Sequence, residues 1–503
     1  MAGTAANPGG PGTGRRPQSR SRADPARRAA CDVLCAVAAR DAYANLLLSA
    51  TLAERRLSGR DAALATELTY GTLRGQGTYD AVLAICSDRD LGGLELGVRE
   101  ILRLGTHQLL ATRVSPHAAV ATSVDLVRDV VGQRAAGFVN AILRRVATRD
   151  LAAWLDIAAP SRDENLVGHL AVRHSHPQWI VTAVSEALGE MPGETPGPPR
   201  RDTGALAGGS LATASLPETE AMLAADNERP RVTLCAAPGL TELDELAESG
   251  ASPARWSKFG AYLADGDPAR VPAVAQGRAG VQDEASQLAA VALTRVTISG
   301  RDTRWLDLCA GPGGKARLLA GLAERSGARL VAAELRPHRA RLVRSAMAGS
   351  HAAQSERASV IVADGTRPAW RAGSFDRVIA DVPCTGLGAL RRRPEARWRR
   401  SPETIAGLRE VQQRLLGTAL ESVRPGGVVA YVTCSPHLAE TRAVLAAVLP
   451  GCGDIEILDA PGVLAEVPGL ACPGPDSRYA QFWPHRHGTD AIFLALLRRA
   501  PVA

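Results

Sequence analysis

The chain has 503 residues, 46% of them hydrophobic, and a formal net charge of +7, with a pI near 9.1; this is too long for one ordinary core and predicts two or three domains. No apolar run reaches the roughly 18 residues of a membrane span, and the first residues lack the apolar stretch of a secretory leader, so a membrane protein is excluded and a cytoplasmic one expected. Nine cysteines without C-x-x-C spacing read as reduced thiols, and the cationic balance favours a polyanionic partner.

Residues 1–23 are rich in Gly, Pro, Ser and Arg without hydrophobic periodicity, which predicts a disordered basic tail. From 24 to 150 the pattern is helical. In VREILRLGTHQLLAT the residues Val98, Ile101, Leu102, Leu109 and Leu110 share one face at 3.6-residue spacing, predicting an all-α domain. The strings RDAALATELTYGTLRGQGTYD, LRLGTHQLL, SPHAAVATSVDLV and GFVNAILRR resemble the helical RNA-binding domain of the NusB antitermination factor. Residues 151–280 combine a helical connection ending near Leu188, a Pro/Gly-rich linker over 190–218, and a small segment in which RPRVTLCAA is strand-like and TELDELAES helical. From 281 to 503, strand-like runs (WLDLCA, RLVAAEL, SVIVADG, FDRVIADVP, GGVVAYVTC) alternate with helical ones. That order predicts a mainly parallel α/β sheet covered on both faces, with ligands at the carboxyl ends of its strands.

Three motifs fall at those ends. In WLDLCAGPGGKARLLA a strand breaks into a turn before a helix. Gly311, Gly313 and Gly314 permit close backbone approach to a ligand and Pro312 stiffens the turn, with Glu334 ending the next strand in position to accept hydrogen bonds from a ribose diol. A P-loop is excluded, because Cys309 holds its first position and Ala316 its last; a dinucleotide fingerprint fails at Lys315 and Ala316. Lysine occurs only at Lys258 and Lys315, so a lysine directly after the glycine turn implies a need for a compact ammonium. Cys384 in ADVPC and Cys434 in YVTCS each follow a strand-like run. Cytosine C5 is a poor nucleophile, and a thiolate added at C6 would build electron density there; one cysteine makes such an adduct and a second group helps undo it.

Together these segments are similar to the S-adenosylmethionine-dependent RNA (cytosine-5) methyltransferases of the Sun/Fmu (RsmB-like) group over nearly the whole chain, including VQDEASQLAA at 281–290. The family's CAAPGGK reads CAGPGGK here, and its Arg and Asn after the VTL strand are Cys235 and Ala236. The resemblance implies a Rossmann-like seven-stranded methyltransferase domain after an RRM-like subdomain. It also implies S-adenosyl-L-methionine held by Cys309, Ala310, Gly311, Pro312, Gly313, Gly314, Lys315, Glu334, Asp364 and Asp381. It assigns Cys434 as nucleophile and Cys384 to release. Asp381 would contact the base at N3 or its amino group, while Lys315 would lower a thiol pKa or hold the base. Downstream, LRRRPEARWRRSPE offers Arg391, Arg392, Arg393 and Arg397 as a phosphate clamp with Trp398 as stacking ring. Cys31, Cys35, Cys86, Cys235, Cys452 and Cys472 read as small core residues. The pairs His174/His176 and His485/His487 lack further ligands, so no metal is expected. The NusB-like segment favours 16S ribosomal RNA as substrate. A tRNA cytosine-5 methyltransferase shares every catalytic residue, and a non-catalytic RNA-binding or antitermination factor is opposed by the retained cysteines and Asp381.

Overall fold

The computed structural model describes residues 23–40, 42–191, 216–349, 357–474 and 476–501; the tail and most of the 190–218 linker lie outside them. The chain divides into two compact units. One takes in residues up to Ala42 together with Leu46–Gly71 and Leu83–Leu151; the other holds Tyr43–Asn45, Thr72–Val82 and the rest from Ala152.

The first unit is all helix in its described residues, built on Pro25–Arg40, Leu96–Ala111, Pro116–Val130 and Gln133–Val146 with parts of three more. Leu96–Ala111 buries every residue from Glu100 to Gln108, whereas Leu109 and Leu110 are only partly covered. The single apolar face expected from spacing is therefore too narrow: this helix is surrounded. Some of its polar groups are paired within the unit, Arg103 donating to Glu100 at 2.8 Å and Arg27 to Gln108 at 2.7 Å.

The second unit contains two sheets. A four-stranded antiparallel sheet, in the order β2-β3-β1-β4, is formed by β1 (Val232–Ala236), β2 (Ala251–Pro253), β3 (Gly260–Leu263) and β4 (Ala279–Val281), with the helix Leu243–Glu248 between β1 and β2. Strand β1 and that helix are the pieces legible as RPRVTLCAA and TELDELAES. Cys235 lies at the buried centre of β1.

The larger sheet contains β5 (Arg304–Asp307), β6 (Arg329–Glu334), β7 (Ala358–Val362), β8 (Phe375–Asp381), β9 (Val423–Thr433), β10 (Ile455–Leu458) and β12 (Phe493–Arg499), in the order β10-β12-β9-β8-β5-β6-β7, with β11 (Ala480–Gln481) paired to β12. Strands β5 to β9 are mutually parallel, and β12 runs antiparallel to β9. Alternation along the strands feeds two cores: Trp305, Ile379, Val428, Ala430 and Val432 pack on one face, and Leu306, Val378, Ala380, Val429 and Tyr431 on the other. Burial on both faces explains why these strands read as continuous apolar runs.

At the amino end of the sheet, Asp376 occupies the irregular step between Phe375 and Arg377 where β8 shifts against β9. Its buried carboxylate accepts from Thr303 N (2.7 Å), Arg304 N (2.8 Å), Arg301 Nε (3.0 Å) and Arg424 Nε (2.6 Å). The segment RHGTD contributes to a helical turn, Pro484–His487, capped by Gly488 at φ +74°. Proline at its start and a left-handed glycine at its end favour helix over strand, and the strand paired with the start of β12 is β11.

Candidate active site

The turn after β5 is shaped by its glycines. Gly313 has φ +116°, and a Cβ there would lie 2.7 Å from Ala346 Cβ and 3.0 Å from Val343 Cα, so a side chain would push the turn off the helix Pro337–Met347. A Cβ on Gly311 would fall 2.2 Å from Glu334 Oε2. Instead the Gly311 N–H donates to that oxygen at 3.1 Å, the Arg336 N–H donates to Oε1 at 3.0 Å, and Arg339 donates to the Gly311 carbonyl at 2.7 Å. Glu334 is thereby fixed at the end of β6 beneath the turn. Asp364 lies two residues beyond β7, and its Oδ1 accepts both the N–H and the hydroxyl of Thr366, at 2.9 and 2.7 Å. Those bonds hold its carboxyl below the usual range.

Sequence reasoning passed over three residues around this turn. Asp307, the last residue of β5, is fully buried; burial pushes its carboxyl up to about 7, with the Asp381 charge adding to the effect. Gln282, in the VQDEASQ string, is buried with no hydrogen-bond partner for its amide oxygen or nitrogen among the described residues, and its side chain lies 3.4 Å from where a Gly314 Cβ would be. One turn on, Ser286 accepts from Lys315 Nζ at 3.4 Å. An unspent donor and acceptor beside a glycine cradle, with carboxylates at the two neighbouring strand ends, fit a polar nucleoside-containing cofactor.

Strands β8 and β9 are neighbours in parallel register, Asp381 opposite Val432. Chains leaving both ends at one level must bring Cys384 and Cys434 together, and their Sγ atoms are 3.1 Å apart. Lys315 reaches across from the helix Gly314–Arg325 to Asp381 Oδ2 at 2.8 Å. Burial alone would lower the lysine's pKa, but Asp381 outweighs it and the ammonium is favoured. The hydrogen bond with Cys384 lowers the Cys434 pKa against the effect of burial, with Asp381 opposing the fall and Lys315 adding to it. The same bond, together with burial, drives Cys384 well up. The two thiols share a hydrogen bond and so cannot titrate independently.

The arginine-rich turn corrects an expectation. Arg397 is fully buried, donating to the carbonyls of Arg74 (3.1 Å), Ser175 (3.1 Å) and Asp226 (2.8 Å) and to Asn227 Oδ1 (2.8 Å). It is an internal strut and cannot clamp a phosphate, because it is fully buried and both terminal nitrogens are taken by protein acceptors. Arg391 is also buried, donating to the Gly488 carbonyl at 3.0 Å, and Arg392 pairs with the buried Asp490. Only Arg393 and Trp398 are exposed among the five. Arg393 lies over the Tyr43 ring, 5.4 Å from its centroid. The Trp398 ring packs against Gly77, where a Cβ would come within 2.5 Å, leaving the indole 38% exposed.

Cys31, Cys86, Cys235 and Cys472 are buried, while Cys35 and Cys452 are only partly so. His485 meets Glu218 at 2.9 Å, and His487 Nδ1 accepts the Trp483 N–H at 2.8 Å. Among the described residues no group of three or more His, Cys, Asp or Glu is placed to hold a metal ion.

A parallel sheet closed by one reversed strand, with a glycine turn after its first strand and an acid ending its second, defines an S-adenosylmethionine-dependent methyltransferase. The model of 16S rRNA methyltransferase RsmB/F matches residues 297–498 and that of the NusB family residues 24–148. The chain belongs to the RsmB/F methyltransferase family. A putative methyltransferase of Mycobacterium tuberculosis, Rv1407, is 47% identical over 480 residues, covering 95% of this chain and 97% of that protein. The ribosomal RNA small subunit methyltransferase B of Pseudomonas syringae pv. tomato is 30% identical, covering 94% and 96%. The crystal structure of PH0851 shares the fold at a TM-score of 0.73 and 20% identity, covering 94% of this chain and 98% of that one.

Proposed function

We propose that this enzyme methylates C5 of a cytosine in 16S ribosomal RNA through a covalent adduct on Cys434. The observation that carries the reading is the 3.1 Å approach of two thiols beside the Lys315–Asp381 pair; the family and the small-subunit ribosomal RNA methyltransferase of Pseudomonas support the substrate. S-adenosylmethionine supplies an electrophilic methyl group, and Gly311 to Gly314, Glu334, Asp364 and Gln282 would hold it. The Cys434 thiolate adds to C6, and the electron density so created makes C5 the nucleophile. Asp381, held by Lys315, orients the base through N3 or the amino group and stabilises the ring during addition. Loss of the C5 proton then re-forms the C5–C6 double bond and expels the Cys434 thiolate, with Cys384 assisting this elimination. Arg393 and Trp398 are the members of the arginine-rich turn available to RNA, and the NusB-like unit is the second RNA-binding element.

The test uses the two cysteines separately. Cys384→Ala, incubated with ribosomal RNA and S-adenosylmethionine, should accumulate a denaturant-resistant protein–RNA band. Cys434→Ala should bind the cofactor yet transfer no methyl group, and the double variant should give no band. Near-normal turnover by Cys434→Ala would refute the assignment. Bisulfite sequencing of ribosomal RNA from cells with and without the gene checks the substrate.

A further inference from the structure

The residues that follow the two cysteines are tied to each other and to a single acid. Glu440 is completely buried. Its Oε1 accepts the Thr385 N–H at 2.8 Å and Gln412 Nε2 at 3.1 Å, and its Oε2 accepts the Thr385 hydroxyl at 2.5 Å. The Thr385 hydroxyl also lies 3.2 Å from the Ser435 hydroxyl. Because Thr385 spends its one proton on Glu440, the Ser435 hydroxyl must be the donor in that contact. Gln412 donates in addition to the Pro383 carbonyl at 2.9 Å, and Tyr431 donates to the Glu440 carbonyl at 2.8 Å. One carboxylate thus fastens the loop of Cys384, the loop of Cys434 and the helix Pro402–Ser422 that separates them in sequence.

We propose that Glu440 is the positioning residue that holds the two cysteine loops at reacting separation and keeps their shared proton on Cys384. This rests on the reading of Cys434 as nucleophile. The charged surroundings are unequal. Cys434 feels Lys315, with Asp381 and Asp490 opposing it, whereas Glu440 acts on Cys384, with Tyr431 and His437 close to the same acid. At Cys434 each nearby cation is paired with an acid, Lys315 with Asp381 and Arg392 with Asp490, whereas Glu440 stands behind Cys384 alone among the groups named, and that difference separates two thiols that are otherwise alike.

The experiment is limiting iodoacetamide treatment of the full chain in the presence of a reductant, with the modified cysteine identified by peptide mass spectrometry. In the native protein Cys434 should be modified about tenfold or more in preference to Cys384. In Glu440→Gln, which keeps the shape and removes the charge, the ratio should fall several-fold and methyl transfer should drop, with cofactor affinity unchanged. A folded Glu440→Gln with the native ratio and native turnover overturns the proposal. Preference for Cys384 in the native protein would instead sink the reading of Cys434 as the thiolate. If Glu440→Gln does not fold, Thr385→Val removes one arm of the tie and should shift the ratio the same way by less; no shift with full turnover overturns the proposal equally.

Discussion

The turn after β5 and the turn after Cys384 border one site but are built from opposite materials. The first is made of main chain: Gly311 and Gly313 sit where a side chain would collide, and Glu334 is held by two backbone N–H groups. The second is made of side chains, and the guanidinium groups of Arg391, Arg392 and Arg397 are drawn into protein contacts. Arg391 and Arg397 satisfy carbonyls that would otherwise be stranded, and Arg392 neutralises Asp490. The difference teaches that a run of arginines is no measure of cationic surface. A long side chain with five donors can be drawn into the interior wherever carbonyls lack partners.

The largest expected effect is on the strut. Arg397→Ala should cost about 3–5 kcal/mol of stability, since it strands four acceptors and leaves the buried Asp226 with Arg391 but without the larger of its two cationic partners; urea unfolding measures this, and a loss below about 1 kcal/mol would return Arg397 to the surface. Next is Asp307, whose carboxyl is pushed from 3.8 to about 7 in the fold. The folded state holds this proton more tightly than the unfolded one, so the associated loss of stability is absent below about pH 4 and grows until about pH 7. Asp307→Asn should therefore unfold like the parent at pH 4 and be more stable at pH 8 by about 2–4 kcal/mol. A smaller change tests the main-chain turn: Glu334→Ala should weaken S-adenosylmethionine binding by about 1.5–3 kcal/mol, and unchanged affinity by calorimetry would place the ribose elsewhere. The smallest concerns the arginine that does face solvent. Arg393→Ala should alter stability by no more than about 0.5 kcal/mol, while RNA affinity falls and its salt dependence loses about one unit of slope. If Arg393→Ala and Arg397→Ala unfold alike, the contrast between the two turns collapses.

What could be read in advance follows the same division. Gly311, Gly313 and Glu334 were legible because glycine and strand-end acids have few other reasons to occur in that order, and the cysteines because each follows an apolar strand. Strands β2 and β4 have three residues each, too few for alternation to register. The direction of Arg397 could not be foreseen, since its acceptors come from Arg74, Ser175, Asp226 and Asn227, far away in sequence. Glu440 and Asp490 carry no motif of their own; the first ends a single 3-10 turn, Leu438–Glu440, and the second lies in an irregular segment, and only burial among partners distinguishes them. Asp364 illustrates the intermediate case, an acid placed near the expected strand end whose Oδ1 is occupied by Thr366.

Asp376 carries a mechanical consequence. By gathering Thr303, Arg304, Arg301 and Arg424 onto one buried carboxylate, it fastens the amino ends of β5, β8 and β9 together, at the opposite edge of the sheet from the cysteines. Opening needed to admit or release substrate must then occur at the carboxyl ends, with the sheet behaving as a plate clamped along one side. Amide hydrogen exchange resolves such a gradient directly: Thr303 and Arg304 belong among the slowest-exchanging amides of the sheet, and the segments beyond Asp381 and Thr433 among those that respond to bound RNA.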